Sequence, residues 1–127
     1  MLRVSSVRHS LLLTGYGEIR AELEFLESGQ LSPVSVLFAG HHGSRTLSIP
    51  ESVTATHSGW VIFTLGYRNC YGHPHPRVMA RFREIGARTL SSDFVGLIRP
   101  DFGEAGVKAS QYRLTHRCYW QSHLSQP

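Results

Sequence analysis

An α/β domain is predicted for this chain, and three observations predict it. Strand-length apolar runs alternate with amphipathic helical stretches through the middle of the sequence. Glycine or proline marks most of the junctions between them. The last third reads as strands only, which gives the layered middle a β-rich end. With 127 residues, 41% hydrophobic and 17% charged, the chain has the composition of one ordinary globular domain. It carries no repeat, low-complexity tract or evident linker.

The elements follow in order. Leu2 to Val7 and Ser10 to Thr14 read as two strands joined at Arg8-His9. Glu18 to Ser28 is helical, because Ile19, Leu23 and Leu26 recur on one face and Gly29 stops the run. Val34 to Ala39 is an apolar run of strand length ended by Gly40. Pro50 to His57 reads as a short helix with Ser48 near its cap, weakened by Val53 and Thr54. Trp60 to Leu65 is a strand, rich in aromatic and β-branched residues. Pro76 opens a further helix with Val78, Met79, Phe82 and Ile85 on one face, and Gly86 closes it. Arg88 to Leu90, Val95 to Arg99 and Val107 to Leu114 read as the closing strands.

The apolar runs are far shorter than the roughly 20 residues of a membrane-spanning helix. The first eight residues alternate and carry charge where a signal peptide would be apolar. Two cysteines, Cys70 and Cys118, make no disulfide framework and leave the redox compartment open. The net charge of +4 is uneven. Residues 1–65 hold four Lys/Arg against five Asp/Glu, and residues 66–127 hold nine against four. The surplus gathers around Arg68, Arg77, Arg81, Arg83, Arg88, Arg113 and Arg117. A patch of that kind attracts phosphate backbones, although a solvated helix face accounts for it equally well.

Chemistry concentrates in two loops, each following a strand. One is His41-His42-Gly43-Ser44-Arg45-Thr46, and the other is Gly72-His73-Pro74-His75-Pro76. Imidazole binds transition metals and moves protons near neutral pH, and strand ends of an α/β sheet are where sites are built. Neighbouring side chains of an extended segment point to opposite sides, so His41 and His42 are not expected to share one ion; His42 is the favoured ligand. Ser44 is placed to cap a helix or meet a phosphate oxygen. The prolines are expected to hold His73 and His75 on one stiff arc, with the helix opened by Pro76 aiming its positive end at the same place. Plain loop histidines satisfied by backbone are the bland alternative. A structural zinc site from Cys70, His73 and His75 with His41 or His42 is another, weakened by the stiffness of Pro74. His9, His57, His116 and His123 stand alone and read as surface or satisfied histidines, while Cys118 and Trp120 are expected to pack on the sheet.

The string Phe38-Ala39-Gly40-His41-His42-Gly43-Ser44-Arg45-Thr46, followed by Leu65-Gly66-Tyr67-Arg68-Asn69-Cys70-Tyr71-Gly72-His73-Pro74-His75-Pro76, resembles the ComEC family of competence proteins. More narrowly, it is similar to that family's C-terminal metallo-β-lactamase-fold domain. Ser10-Leu11-Leu12-Leu13-Thr14-Gly15, Arg88-Thr89-Leu90-Ser91-Ser92-Asp93 and Tyr112 to Trp120 match further segments in the family's order. The resemblance implies half of an αββα sandwich, a mixed sheet with flanking helices, comprising residues 1–127 as one partial domain. It implies an ancestral role in natural transformation, with metal-dependent hydrolysis of DNA phosphodiester bonds. It also implies zinc or manganese held through His42 or His41, catalytic roles for His73 and His75, and DNA contacts from Ser44, Arg45, Arg68 and Arg77. The parent family is embedded in the inner membrane through a separate channel region, with this domain outside the bilayer.

Two departures qualify the match. The family motif His-x-His-x-Asp-His does not occur in this sequence, and Tyr16 stands where an Asp is expected to bridge two metals. A phenol is longer than a carboxylate and protonated at neutral pH, so it is a poor bridging ligand. The expectation is a truncated copy, inactive alone, with metal weak or absent. A non-catalytic DNA- or partner-binding module and a functionless fragment are the competing readings. A separate chain carrying the missing half is the implied partner. The sheet face left without that half, at alternate residues of Leu11 to Leu13, Val34 to Phe38 and Val61 to Leu65, is expected to be apolar and exposed and to drive self-association.

Overall fold

A computed structural model describes residues 1–116. The tail expectations on Arg117, Cys118, Trp120 and His123 lie outside the described residues. The chain forms β1 (Leu2–Ser5), β2 (Ser10–Leu13), α1 (Ile19–Glu27), β3 (Val36–Phe38), α2 (Pro50–Thr56), β4 (Trp60–Phe63), α3 (Pro76–Glu84) and β5 (Arg88–Ser91). The helical turn α4 (Ser92–Val95), strands β6 (Ile98–Gly103) and β7 (Gly106–Gln111) and the turn α5 (Tyr112–Thr115) follow. Among the described residues no helix is long and apolar enough to cross a membrane.

The main sheet has the order β1-β2-β3-β4-β5, with β1 antiparallel to β2 and the rest parallel. Three successive crossovers between adjacent parallel strands carry their helices to the same face, as crossovers of one hand do. Leu12, Leu37 and Val61 stand side by side on that face and form the core with Val53 of α2 and Val78 and Phe82 of α3. Phe63 and Phe82 are fully buried and meet edge to face at 6.1 Å between ring centres. Truncating either ring would cost about 3–5 kcal/mol. The fold class is therefore as expected: α/β, a mixed sheet with flanking helices.

Three expectations fail. Residues 95–99 are not one strand: Val95 ends the turn α4, and β6 begins at Ile98. The last strand stops at Gln111, where α5 turns the chain. Ser48 does not cap α2; it takes a left-handed conformation (φ 56°), and Ile49 occupies the cap position with no side-chain bond.

The second sheet face also departs from expectation, since little of it is bare. Val36 and Ile62 are fully buried there, and Leu90 nearly so. The antiparallel hairpin β6–β7 covers the lower part. Trp60 Nε1 donates to the Val107 carbonyl at 3.2 Å, and His9 Nε2 meets the Gly103 carbonyl at 2.8 Å. The exposed apolar side chains of this face lie at the β1 edge, where Leu2 and Val4 are 58% and 52% exposed beside half-buried Leu11 and Leu13.

One buried carboxylate ties the helix layer together. Glu22 of α1 accepts the Ser48 N–H at 2.9 Å and the Ile49 N–H at 3.2 Å, and Arg81 of α3 donates to the Ser48 carbonyl at 2.8 Å. Burial pushes the Glu22 pKa above the ordinary 4.5, against the hydrogen bonds from the Ser48 and Ile49 N–H groups and the nearby Arg81 charge. Between 4.5 and its raised value the folded chain holds a proton that the unfolded chain releases. The carboxyl therefore favours folding most below 4.5, and that contribution is lost as pH rises through the folded pKa. Glu22→Gln should gain stability relative to wild type as pH is raised from about 4 to about 7 in denaturant melts. Parallel stability–pH curves for the two proteins would refute the assignment.

Candidate functional site

Strands β2, β3 and β4 run in parallel, and the loops at their C-terminal ends bring the polar residues together. Thr14-Gly15-Tyr16 leaves β2, Gly40–Gly43 forms a tight turn after β3, and residues 64–75 follow β4. The first two loops are tied by His41 N–H to the Gly15 carbonyl at 3.0 Å and by the Thr14 hydroxyl to the Phe38 carbonyl at 2.8 Å. The third is tied to the second by His75 N–H to the Gly43 carbonyl at 2.9 Å.

His41 and His42 do not lie in an extended segment, which corrects the alternation argument. Both are left-handed, with φ of 44° and 56°, between Gly40 and Gly43. That turn puts both imidazoles against the same ring: Tyr16 lies 5.3 Å from His41 and 5.2 Å from His42. The Tyr16 hydroxyl is 2.5 Å from His42 Nε2, and His42 Nδ1 is 3.3 Å from Thr64 Oγ1. Both ring nitrogens of the favoured ligand thus have protein partners. His41 remains exposed and faces His73 at 6.4 Å between rings.

His73 is half-buried, and its Nδ1 has no hydrogen-bond partner among the described residues. Burial pushes its pKa below the usual 6.5, and His41, His42 and His75 push in the same direction. A neutral imidazole is the consequence at neutral pH. His75 has a second task, because its Nδ1 accepts the Arg77 N–H at 3.2 Å and caps α3, with Pro76 at the first helical position. Asn69, which sequence reasoning passed over, braces this loop by donating to the His73 carbonyl and accepting the Tyr71 N–H at 3.1 Å. Its only sequence signal was an amide among loop residues.

The basic residues divide into two groups. Arg45, Arg68 and Arg77 are exposed on the three segments around the cluster, Arg68 lying 5.4 Å from the Tyr67 ring centre. Arg81, Arg88 and Arg113 are structural: Arg81 on the Ser48 carbonyl, Arg88 over Trp60 at 5.2 Å, Arg113 on the Asp93 carbonyl at 2.6 Å. Ser44 turns its hydroxyl to Thr46 at 3.2 Å within its own loop.

Among the described residues no group of three or more His, Cys, Asp or Glu side chains is placed to hold a metal ion. The donors at hand are imidazoles and one phenol, with His42 engaged on both sides and Cys70 exposed and free. This set does not fit a resident dinuclear centre, and it does not form the four-ligand zinc site considered above.

An α/β domain with histidine loops at the ends of its parallel strands is the class that fold and site define. The chain is 34% identical over 122 residues to Competence protein ComA of Neisseria gonorrhoeae, covering 95% of this chain and 18% of that protein. It is 27% identical over 113 residues to Recombination protein 2 of Haemophilus influenzae, covering 89% and 14%. It is 31% identical over 90 residues to ComE operon protein 3 of Bacillus subtilis, covering 71% and 12%. The chain spans less than a fifth of the length of each of these relatives. No family model and no solved structure matches.

Gly43 is where the site is most tightly determined. Its φ is +82°, and a Cβ there would fall 2.7 Å from both Phe63 Cδ1 and Pro74 Cβ. Gly43→Ala should destabilise the chain by roughly 2–4 kcal/mol through backbone strain and overpacking. Urea melts measure this, and a variant as stable as wild type would mean that the two histidine loops are not locked together.

Proposed function

We propose that this chain is a DNA-handling module of the natural-transformation machinery, corresponding to the second half of a metallo-β-lactamase-like domain, and that alone it grips DNA without hydrolysing it. The observation that carries the reading is the Tyr16–His42 hydrogen bond at 2.5 Å. It stands where the resemblance calls for a bridging carboxylate and a free imidazole. A phenol hydrogen-bonded to the favoured imidazole ligand leaves the site without the carboxylate that a water-activating metal pair would need. The similarity to competence proteins over most of this chain supports the DNA context.

In this reading the cluster holds a phosphodiester by hydrogen bonding. Neutral His73 and exposed His41 offer ring nitrogens, and Arg45, Arg68 and Arg77 supply positive charge around them. A resident metal, where an intact relative has one, would supply a nucleophilic hydroxide; here zinc or manganese should bind weakly and substoichiometrically. The apolar β1 edge, with Leu2 and Val4 exposed, is the place for a chain carrying the other half.

Fluorescence anisotropy with a labelled oligonucleotide tests the reading. Affinity should be on the order of micromolar or weaker, indifferent to sequence and steeply reduced by salt, as phosphate contacts dictate. Replacing Arg68 and Arg77 together with Ala should weaken binding and flatten the salt dependence. Binding unmoved by salt or by those changes would remove the nucleic-acid reading. Cleavage of DNA by the chain alone with zinc or manganese, abolished by His42→Ala, would overturn the non-hydrolytic part.

A further inference from the structure

Beside the histidine cluster lies a cavity of about 190 Å3 between the end of β2, the start of α1 and the 40–48 loop. Tyr16 belongs to both, forming one wall of the cavity while its hydroxyl meets His42. Ala21, Phe25 and Leu47 give the cavity an apolar lining. Two of its polar groups are already committed: Thr14 donates to the Phe38 carbonyl, and Glu22 accepts the Ser48 and Ile49 N–H groups. Glu18 and Met1 complete the lining at its rim. The space exceeds the roughly 150 Å3 in which a benzene-sized ring is held.

We propose that this cavity is a nucleobase pocket that takes one base of a single DNA strand whose phosphate rests on the imidazoles. The inference rests on the DNA reading above and names its substrate class as single-stranded. The apolar lining of the pocket suits the flat uncharged base, and the histidine and arginine side keeps the phosphate. Tyr16 is 72% exposed, and its hydroxyl bond to His42 fixes the ring, so it offers an oriented aromatic face at the boundary. Stacking on such a face accepts every base, in keeping with sequence-indifferent binding. A base paired in a duplex cannot enter without leaving its stack.

The test uses the full chain and four probes: a single-stranded oligonucleotide, the same strand with base-free sugars, the duplex, and a free deoxynucleoside. The base-free strand and the duplex should bind on the order of tenfold more weakly than the ordinary strand. Ala21→Phe fills the cavity. Gly17→Leu narrows its rim from an exposed position where an added Cβ meets Ala21 at an ordinary 3.7 Å. Both variants, checked for folding by circular dichroism, should bring the ordinary strand to the base-free level and leave the base-free strand's affinity unchanged. Equal affinity for ordinary and base-free strands, or wild-type affinity in both variants, would overturn the pocket. If no strand binds at all, the DNA reading falls, and NMR titration with the deoxynucleoside decides the pocket separately. Shifts around Tyr16 and Ala21 that vanish in Gly17→Leu would uphold it, and unshifted resonances would end it.

Discussion

The close approach of Gly43 to Phe63 and Pro74 is the constraint on which the site depends. Phe63 is a fully buried core residue at the end of β4, and Pro74 sits between the two histidines of the next loop. Because the 40–43 turn presses on both, the position of His41 and His42 is set by the core itself. His75 N–H on the Gly43 carbonyl closes the same contact from the other side. A site assembled from three loops would ordinarily lose much of its order to conformational entropy. Here one missing side chain lets two of those loops rest directly on a packed aromatic ring.

Charge in this protein is used inwards as often as outwards. Glu22, Arg81, Arg88 and Arg113 hold backbone groups or stack on rings. The only ion pair among the described residues, Arg99 with Asp101 on the hairpin, is exposed and adds little. A basic surplus counted along the chain therefore overstates the charge available to a polyanion. On the reading proposed above, Arg45, Arg68 and Arg77 are the exposed arginines that remain for phosphate, a set suited to weak contacts.

Local signals in the sequence carried much of the architecture. The apolar face of α1, Pro76 opening α3 and Gly29 and Gly86 closing helices each act within a few residues, and each is found where those signals put it. The misses are long-range or conformational. Nothing local announces that His41 and His42 adopt left-handed backbone, since that region favours glycine; the turn lies between Gly40 and Gly43 and is tied by His41 N–H to the Gly15 carbonyl. The hairpin covering the second sheet face was hidden for a related reason, because the Trp60–Val107 bond joins residues 47 apart. The histidine loops themselves were legible as a group. Their internal wiring, Tyr16 to His42 to Thr64, spans three loops and was not.

Tyr16 shows how one residue type can change a site in two ways. A carboxylate there would end close to the backbone, bare of apolar surface. The phenol carries its oxygen further, far enough to meet His42 across the gap between the β2 and β3 loops. The same length lays an aromatic ring along the mouth of the cavity that Ala21, Phe25 and Leu47 line. The hydroxyl bond restrains the ring, and the ring shields one edge of both imidazoles. On the reading proposed above, the substitution that removes a metal ligand also creates a stacking surface beside a phosphate-binding cluster. Loss of hydrolysis then follows from this change together with the His-x-His-x-Asp-His motif that the sequence lacks, and retention of strand binding follows from the ring that Tyr16 supplies.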